Sequence, residues 1–199
     1  MAALRKTPVA FTPNAAPFAI RAERASDVAA RESLLDACFG ENRQTRTCQR
    51  LRDGRTPAEG LAFSAVARGK LVGTLRLWHI SAGGKPALVL GPLAVDEASR
   101  KLGVGAGLMR RALEVAAARG HGAVILLGDA PYYARFGFSS AKTGELLLPG
   151  PFERDRLLGL ELREGALDGA WGMITLGAPP LKTRTPRTAK ALRPVPHAA

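Results

Sequence analysis

Gly91-Pro-Leu-Ala-Val95-Asp-Glu-Ala-Ser-Arg100-Lys-Leu-Gly103-Val-Gly105-Ala-Gly107 is the stretch on which the fold of this chain turns. It reads as an apolar strand that runs into a glycine-rich loop, and the loop opens a helix. A helix start leaves several backbone N–H groups without intrahelical partners, and they point at whatever lies beyond the helix end. Their summed dipole favours negative charge there, so this order of elements is a natural cradle for phosphate. Gly103, Gly105 and Gly107 carry no Cβ that would hold a ligand away from the backbone.

Spacing narrows the choice of ligand. A dinucleotide fingerprint, Gly-x-G-x-x-G counted from Gly103, would need glycine where Leu108 stands, and no Gly-Lys-Ser/Thr tripeptide of a Walker loop occurs. Downstream, Val104, Leu108, Ala112, Val115 and Ala116 fall at helical spacing, with Arg110, Arg111, Glu114 and Arg119 on the other side. Gly120-His-Gly122 stops that helix. Ala123-Val-Ile-Leu-Leu127 then suits a strand buried on both faces. Strand, loop, helix and strand form one crossover unit, whose two strands run parallel. Asp129 to Phe136 reads as a short helix with Pro131 in its first turn, ended by Gly137-Phe138.

The remaining elements complete an α+β order. Phe18 to Arg21 is a first strand, Ser26-Asp27 caps a helix towards Phe39, and a second helix spans Thr45 to Leu51. Leu61 to Ala67 and Leu71 to Ile80 form a hairpin, and a turn over Ser81 to Pro86 leads into the strand Ala87 to Val95. Three late strands follow at Glu145 to Leu148, Leu157 to Leu162 and Trp171 to Leu176.

Arg100-x-x-Gly103-x-Gly105 resembles the acyl-CoA pyrophosphate loop of the GNAT N-acetyltransferases, Gln/Arg-x-x-Gly-x-Gly/Ala. Tyr133-Ala-Arg-Phe-Gly137-Phe138 resembles the second hallmark of that superfamily. Leu90 to Val95, Leu127 to Tyr133 and Gly165 to Gly169 are similar to the YhbS-like predicted N-acetyltransferases within it. The resemblance covers roughly residues 18 to 177 and is densest from Leu88 to Phe138; Lys101 departs from it, where many relatives carry glycine. It implies a GNAT-type acyl-CoA N-acyltransferase fold: a mixed, mostly antiparallel sheet flanked by helices, with the fourth and fifth strands as one parallel pair. It also implies acetyl-CoA as acetyl donor, with no metal. Backbone groups of Leu93, Ala94 and Val95 would then hold the acetyl carbonyl and pantetheine. Arg100, Lys101, Leu102, Gly103, Val104, Gly105 and Ala106 would hold the pyrophosphate, and Tyr133 takes the general-acid position.

The chemistry gives these assignments a physical basis. When an amine attacks a thioester, charge collects on the carbonyl oxygen and calls for a fixed N–H donor. Proline inside a central strand marks a bulge, so Gly91-Pro92 is expected to splay the strand and free the main chain of Leu93 to Val95. A thiolate of pKa ~8.5 leaves, and a phenol of pKa ~10 can serve it as acid. Tyr133 fits that role, with packing beside Phe136 and Phe138 as the competing reading; Tyr132 is core or substrate wall. For the base, His79 and Glu41 stand beside a water relay, and none is chosen. The acceptor is placed between the region Glu41 to Arg55 and the last hairpin.

Composition agrees with one such domain. A chain of 199 residues with 46% hydrophobic content can bury a single substantial core. The expected division is a flexible segment 1–17, an acetyltransferase domain 18–178, and a basic, proline-rich, disordered tail 179–199. The 29 basic and 17 acidic residues leave a net charge of +12, part of it in that tail. A basic tail can hold nucleic acid electrostatically, and it can equally serve solubility. No apolar run approaches the ~20 residues of a membrane span. Cys38 and Cys48 are too few for a disulfide framework and suit a reducing cytoplasm. The expected partners are therefore acetyl-CoA and an amine acceptor, without membrane; nucleic acid and a homodimer are left open. An acetyl-CoA-dependent N-acetyltransferase is the expected function. The alternative is a catalytically inactive acyl-CoA-binding or RNA-associated module of the same fold.

Overall fold

A computed structural model of the chain describes residues 17–178, so the expectations for the N-terminal segment and the basic tail fall outside the described residues, apart from Pro17. In chain order the regular elements are β1 (Ala19–Ala22), α1 (Val28–Phe39), β2 (Ala62–Ala67), β3 (Lys70–Ala82), β4 (Lys85–Leu90), β5 (Ala94–Val95), α2 (Val104–Ala118), β6 (Ala123–Leu127), α3 (Ala130–Ala134), β7 (Leu146–Leu147), β8 (Leu157–Glu161) and β9 (Gly172–Leu176). The fold is α+β, with a mixed sheet in the order β1-β2-β3-β4-β6-β8. Its neighbours are antiparallel except for β4 and β6, which pair parallel at Leu88↔Val124 and Val89↔Ile125. A second parallel contact, two residues long, joins β7 to β9.

β3 carries the sheet, because its two halves have different neighbours. The first half lies between β2 and β5, pairing Thr74 with Ala94 and Gly73 with Val95. The second half lies between β4 and β9. Strand residues point to alternate faces, so the apolar positions divide into two cores. Leu75, Leu77, Leu88, Leu90, Val124 and Leu126 pack with Val104, Leu108, Met109 and Ala112 of α2. Trp78, Ile80, Val89 and Ile125 belong to the second core, covered by Leu51, Leu146, Leu157 and Ile174. Leu108 and Met109 are fully buried, and truncating such a side chain to alanine typically costs about 2–5 kcal/mol.

Four local expectations are corrected. The strand expected over Ala87 to Val95 is two strands, because the pairing with β3 breaks at Gly91 to Leu93 and resumes in β5 one residue out of register; the parallel partner of β6 is β4 alone. A 3-10 helix over Glu97–Leu102 stands where a plain loop was expected. The region Thr45 to Leu51 is not one helix but part of two 3-10 turns, broken at Arg46, whose backbone is extended. The turn expected over Ser81 to Pro86 shrinks to Gly83-Gly84, both with positive φ, so β3 and β4 run up to a two-residue hairpin. The Ser26-Asp27 cap also takes another form. The Asp27 carboxylate makes no cap hydrogen bond to α1, but accepts from Arg21, the Arg24 N–H and the Ser64 hydroxyl.

Candidate active site

The site begins where β4 leaves its parallel partner. Pairing of β4 with β6 ends at Val89↔Ile125, while the Gly91 N–H still donates to the Arg76 carbonyl of β3 and β5 continues along β3. β6 meanwhile continues to Leu127 in register with β8. The result is a V-shaped opening, within which lies a cavity of about 980 Å³. Gly91, Pro92 and Leu93 form one wall, and Leu126, Leu127 and Gly128 form the other. Tyr132 and Tyr133 project from α3, Arg100 stands at one margin, and Phe39, Cys48 and Arg52 close the side opposite α2.

Helix α2 starts beside this opening. Gly103 adopts φ +78, a left-handed conformation that a branched side chain rarely enters, and so turns the 3-10 helix into α2. The first helical bond runs from the Gly107 N–H to the Gly103 carbonyl, which leaves the N–H groups of Val104, Gly105 and Ala106 ahead of it. A Cβ on Gly105 would lie 2.8 Å from the Tyr132 hydroxyl oxygen, which places that hydroxyl over the first turn of α2. Gly107 has another reason for being glycine: a Cβ there would lie 2.9 Å from Ile20 and 3.3 Å from Phe18. It lets β1 approach α2, and is not the ligand clearance expected of it.

Of the residues named from the sequence, Leu93, Arg100 and Tyr133 line the cavity. Ala94 and Val95 form the short β5, and Lys101, Leu102 and Gly103 lie exposed on the adjoining turn. The Val104 side chain is buried in the α2 core, so only its backbone is available to a ligand.

Tyr133 is held rigidly. Its ring lies against Gly128, at whose Cβ position Cε2 would be 2.3 Å away. Tyr132 meets it edge-on at 4.9 Å between centroids, and Phe138 at 6.0 Å. Burial pushes its pKa up to about 12, with the neighbouring Tyr132 adding to the rise, so the phenol keeps its proton across the physiological range. Packing and chemistry are thus compatible readings of this ring. Tyr132 stacks under the Arg135 guanidinium at 4.4 Å.

Neither acid-base candidate from the sequence is among the residues lining the cavity. His79 faces the C-terminal end of α2, where its ring lies 5.4 Å from that of His121, and burial with the nearby Arg55 lowers its pKa. Glu41 is exposed in the turn after α1. The carboxylates that do line the cavity are Asp129 and Glu153. The far wall of the cavity is Pro151 to Glu153 with Arg156, which leads into β8, and not the last hairpin. Asp129 lies within the Leu127 to Tyr133 motif, where it was read only as the start of a helix, and no local pattern marks Glu153 or Arg52; only the pairing of distant strands brings the three together.

The family model for the acetyltransferase (GNAT) family matches residues 28–138, more than half of the chain, spanning the strand break, the α2 start and α3. The chain belongs to the GNAT family. The N-acetyltransferase YhbS of Escherichia coli K12 is 28% identical over 157 residues, which cover 78% of this chain and 93% of YhbS. YjhQ of the same strain, also called an N-acetyltransferase, is 30% identical over 131 residues, covering 64% of this chain and 72% of YjhQ. The crystal structure of E. coli YhbS in complex with CoA superposes with a TM-score of 0.71, covering 83% of this chain and 92% of that one. A GNAT acetyltransferase from Brucella melitensis in complex with acetyl-CoA, 26% identical, superposes at 0.53 over 76% of this chain and 98% of that one. Among the described residues, no helix of this family member is long and apolar enough to cross a membrane.

Proposed function

We propose that this GNAT protein is an acetyl-CoA-dependent N-acetyltransferase that transfers the acetyl group to a primary amine by direct attack on the thioester. The observation that carries this reading is the opening between β5 and the end of β6, which gathers Leu93, Arg100 and Tyr133 around one cavity. Bound CoA in the YhbS and Brucella structures supports it. The residues present fit an acyl-CoA: a break in the sheet where the pairing of β4 with β6 stops, a cavity at that break, and unpaired N–H groups at a glycine-rich helix start.

Acetyl-CoA supplies an activated acyl carbonyl and a thiolate leaving group. The backbone of Leu93, Ala94 and Val95 holds the acyl arm and offers N–H donors where charge develops on oxygen. Arg100, Lys101 and Leu102, with the N–H groups of Gly103, Val104, Gly105 and Ala106, hold the diphosphate. Tyr133 donates its phenolic hydrogen towards the departing sulfur. Raised to about 12, its pKa suits a hydrogen-bond donor that strengthens as the thiolate forms, rather than a group that surrenders its proton beforehand. Asp129 and Glu153 are the carboxylates within the cavity that can relay the amine proton through water. We place the enzyme in the cytoplasm, with residues 18–178 as its catalytic domain.

Calorimetry with acetyl-CoA and thiol release in the presence of amines test this function. Wild-type protein is expected to bind acetyl-CoA and release CoA thiol only when amine is present. Gly103→Val is expected to abolish binding, because the left-handed turn at φ +78 is closed to a branched side chain. Equal affinity in wild type and Gly103→Val would refute the diphosphate assignment, and binding without turnover would leave an acyl-CoA-binding module.

A further inference from the structure

The cavity is lined by five arginines, Arg43, Arg46, Arg52, Arg100 and Arg156, against two carboxylates, Asp129 and Glu153. The five are not equivalent. Arg43 is engaged by Glu32 and Asp36. Arg156 lies 3.4 Å from Glu153. Arg46 donates to the Phe39 carbonyl and lies over the Phe39 ring. Arg100, at the α2 margin, belongs to the diphosphate loop.

Arg52 is different. It is half-buried, its Nε donates to the Cys48 carbonyl, and its guanidinium lies over the Trp78 ring at 5.4 Å. Its Nη1 is 3.8 Å from where a Cβ on Gly91 would stand, so the fork points at the break in the sheet. Among the described residues neither Nη atom has a hydrogen-bond acceptor, and no carboxylate lies within ion-pair distance. Burial, its largest influence, lowers the pKa of this guanidinium, the sign of a charge removed from water. Asp53, the next residue, acts on it from beyond ion-pair distance, and a desolvated cation without a directly paired carboxylate is costly to keep.

Position gives this cation a purpose. Trp78 belongs to the core on the sheet face away from α2, so Arg52 lies across the sheet from the helix start that holds the diphosphate. An amine that reaches the thioester through the opening from that side would pass Arg52, which lines the same cavity as Leu93 and Tyr133. Two free Nη groups on one planar fork match the two oxygens of a carboxylate. A phosphate dianion would call for a second cation at the same depth, and the neighbouring Arg43 is already engaged by two acids.

We propose that the acceptor is an amine bearing a carboxylate, and that Arg52 receives that carboxylate on the face of the sheet opposite α2. This rests on the N-acetyltransferase reading above, and names the substrate class of the same site.

The test compares matched pairs that differ only in charge: glycine with glycinamide, β-alanine with its amide, 4-aminobutyrate with its amide, and a dipeptide with its C-terminal amide. Aminoethyl phosphate is the phosphate arm. Each is titrated into the CoA complex by calorimetry and assayed for thiol release from acetyl-CoA. At least one carboxylate is expected to bind and turn over about tenfold or more better than its amide. In Arg52→Gln that ratio should collapse towards one while acetyl-CoA affinity holds. Arg52→Lys, which keeps the charge but not the fork, should recover part of the preference, and melting curves identify any variant that fails to fold. Binding of no carboxylate, a carboxylate preference that survives in folded Arg52→Gln, or a clear preference for aminoethyl phosphate would each overturn the inference. Failure to bind acetyl-CoA would instead overturn the proposed function.

Discussion

Gly128→Ala separates the position of Tyr133 from its chemistry. The added Cβ would stand 2.3 Å from Cε2 and 2.9 Å from Cδ2 of Tyr133, and 3.0 Å from a Leu126 methyl. Ordinary carbon contacts begin at about 3.5 Å, so the ring edge must retreat by about 1.2 Å. Behind the ring stand Tyr132 and Phe138, which leave it little room. Overpacking of this kind costs about 1–3 kcal/mol, a loss read from the thermal melt. A displacement near 1 Å at a reacting group costs about 10²-fold in turnover, read as thiol release at saturating acetyl-CoA. The double variant Gly128→Ala, Tyr133→Phe decides whether the two effects share a cause. Once the hydroxyl is gone, misplacing the ring should slow turnover by little more, so the two losses should not add. A folded Gly128→Ala protein with turnover near wild type, or full additivity, would refute the claim that Tyr133 acts from where it is packed.

Three further outcomes are expected. Tyr133→Phe should lose about 10²–10⁴-fold in kcat with acetyl-CoA affinity nearly unchanged, whereas Tyr132→Phe should be mild; equal losses in steady-state assays would count against Tyr133. Because the folded pKa of Tyr133 is raised to about 12, kcat should show no falling limb from this residue between pH 6 and 10. The same shift adds stability that is fully present below about pH 10 and is lost as the pH climbs towards 12, which alkaline denaturation of wild type against Tyr133→Phe can follow. Asp27 has the opposite sign. Hydrogen bonds from Arg21, first, then the Arg24 N–H and Ser64 hold its carboxyl well below the usual range, so its contribution is present above about pH 4 and is lost on further acidification. Asp27→Ala should cost about 2–4 kcal/mol near neutrality and flatten the acid limb of a stability-against-pH curve.

The sequence carried the parts of the fold that depend on neighbours along the chain. The apolar run of β6 and the 3.6-residue period of α2 coincide with the observed elements to within a residue or so. Pro92 correctly marked an interruption, because a residue without an N–H cannot hold its place in a central ladder. It did not announce where pairing would resume: β5 rejoins β3, the strand β4 already pairs with, only at Ala94 and one residue out of register. The 3-10 turns at Glu41–Thr45 and Glu97–Leu102 escaped, and the one at Thr47–Leu51 was read only as part of a longer helix from Thr45, because short 3-10 turns have no periodicity to read. Tyr133 was legible through its motif, but Arg52 was not. Nothing near it in the chain distinguishes it from Arg50, which points instead to the Pro149 carbonyl. Only the meeting of Trp78 and Gly91 around its guanidinium sets it apart.

β3 runs unbroken past the point where its neighbours change from β2 and β5 to β4 and β9. The wall Gly91 to Leu93 is therefore a three-residue span anchored to that continuous strand at both ends, through β4 and through β5, and not a long loop that must find its shape when a ligand arrives. Ordering a loop residue costs about 1–2 kcal/mol of backbone entropy. A wall tethered to the sheet at both ends avoids much of that cost, so more of the energy of each contact with a bound ligand is left to show as affinity.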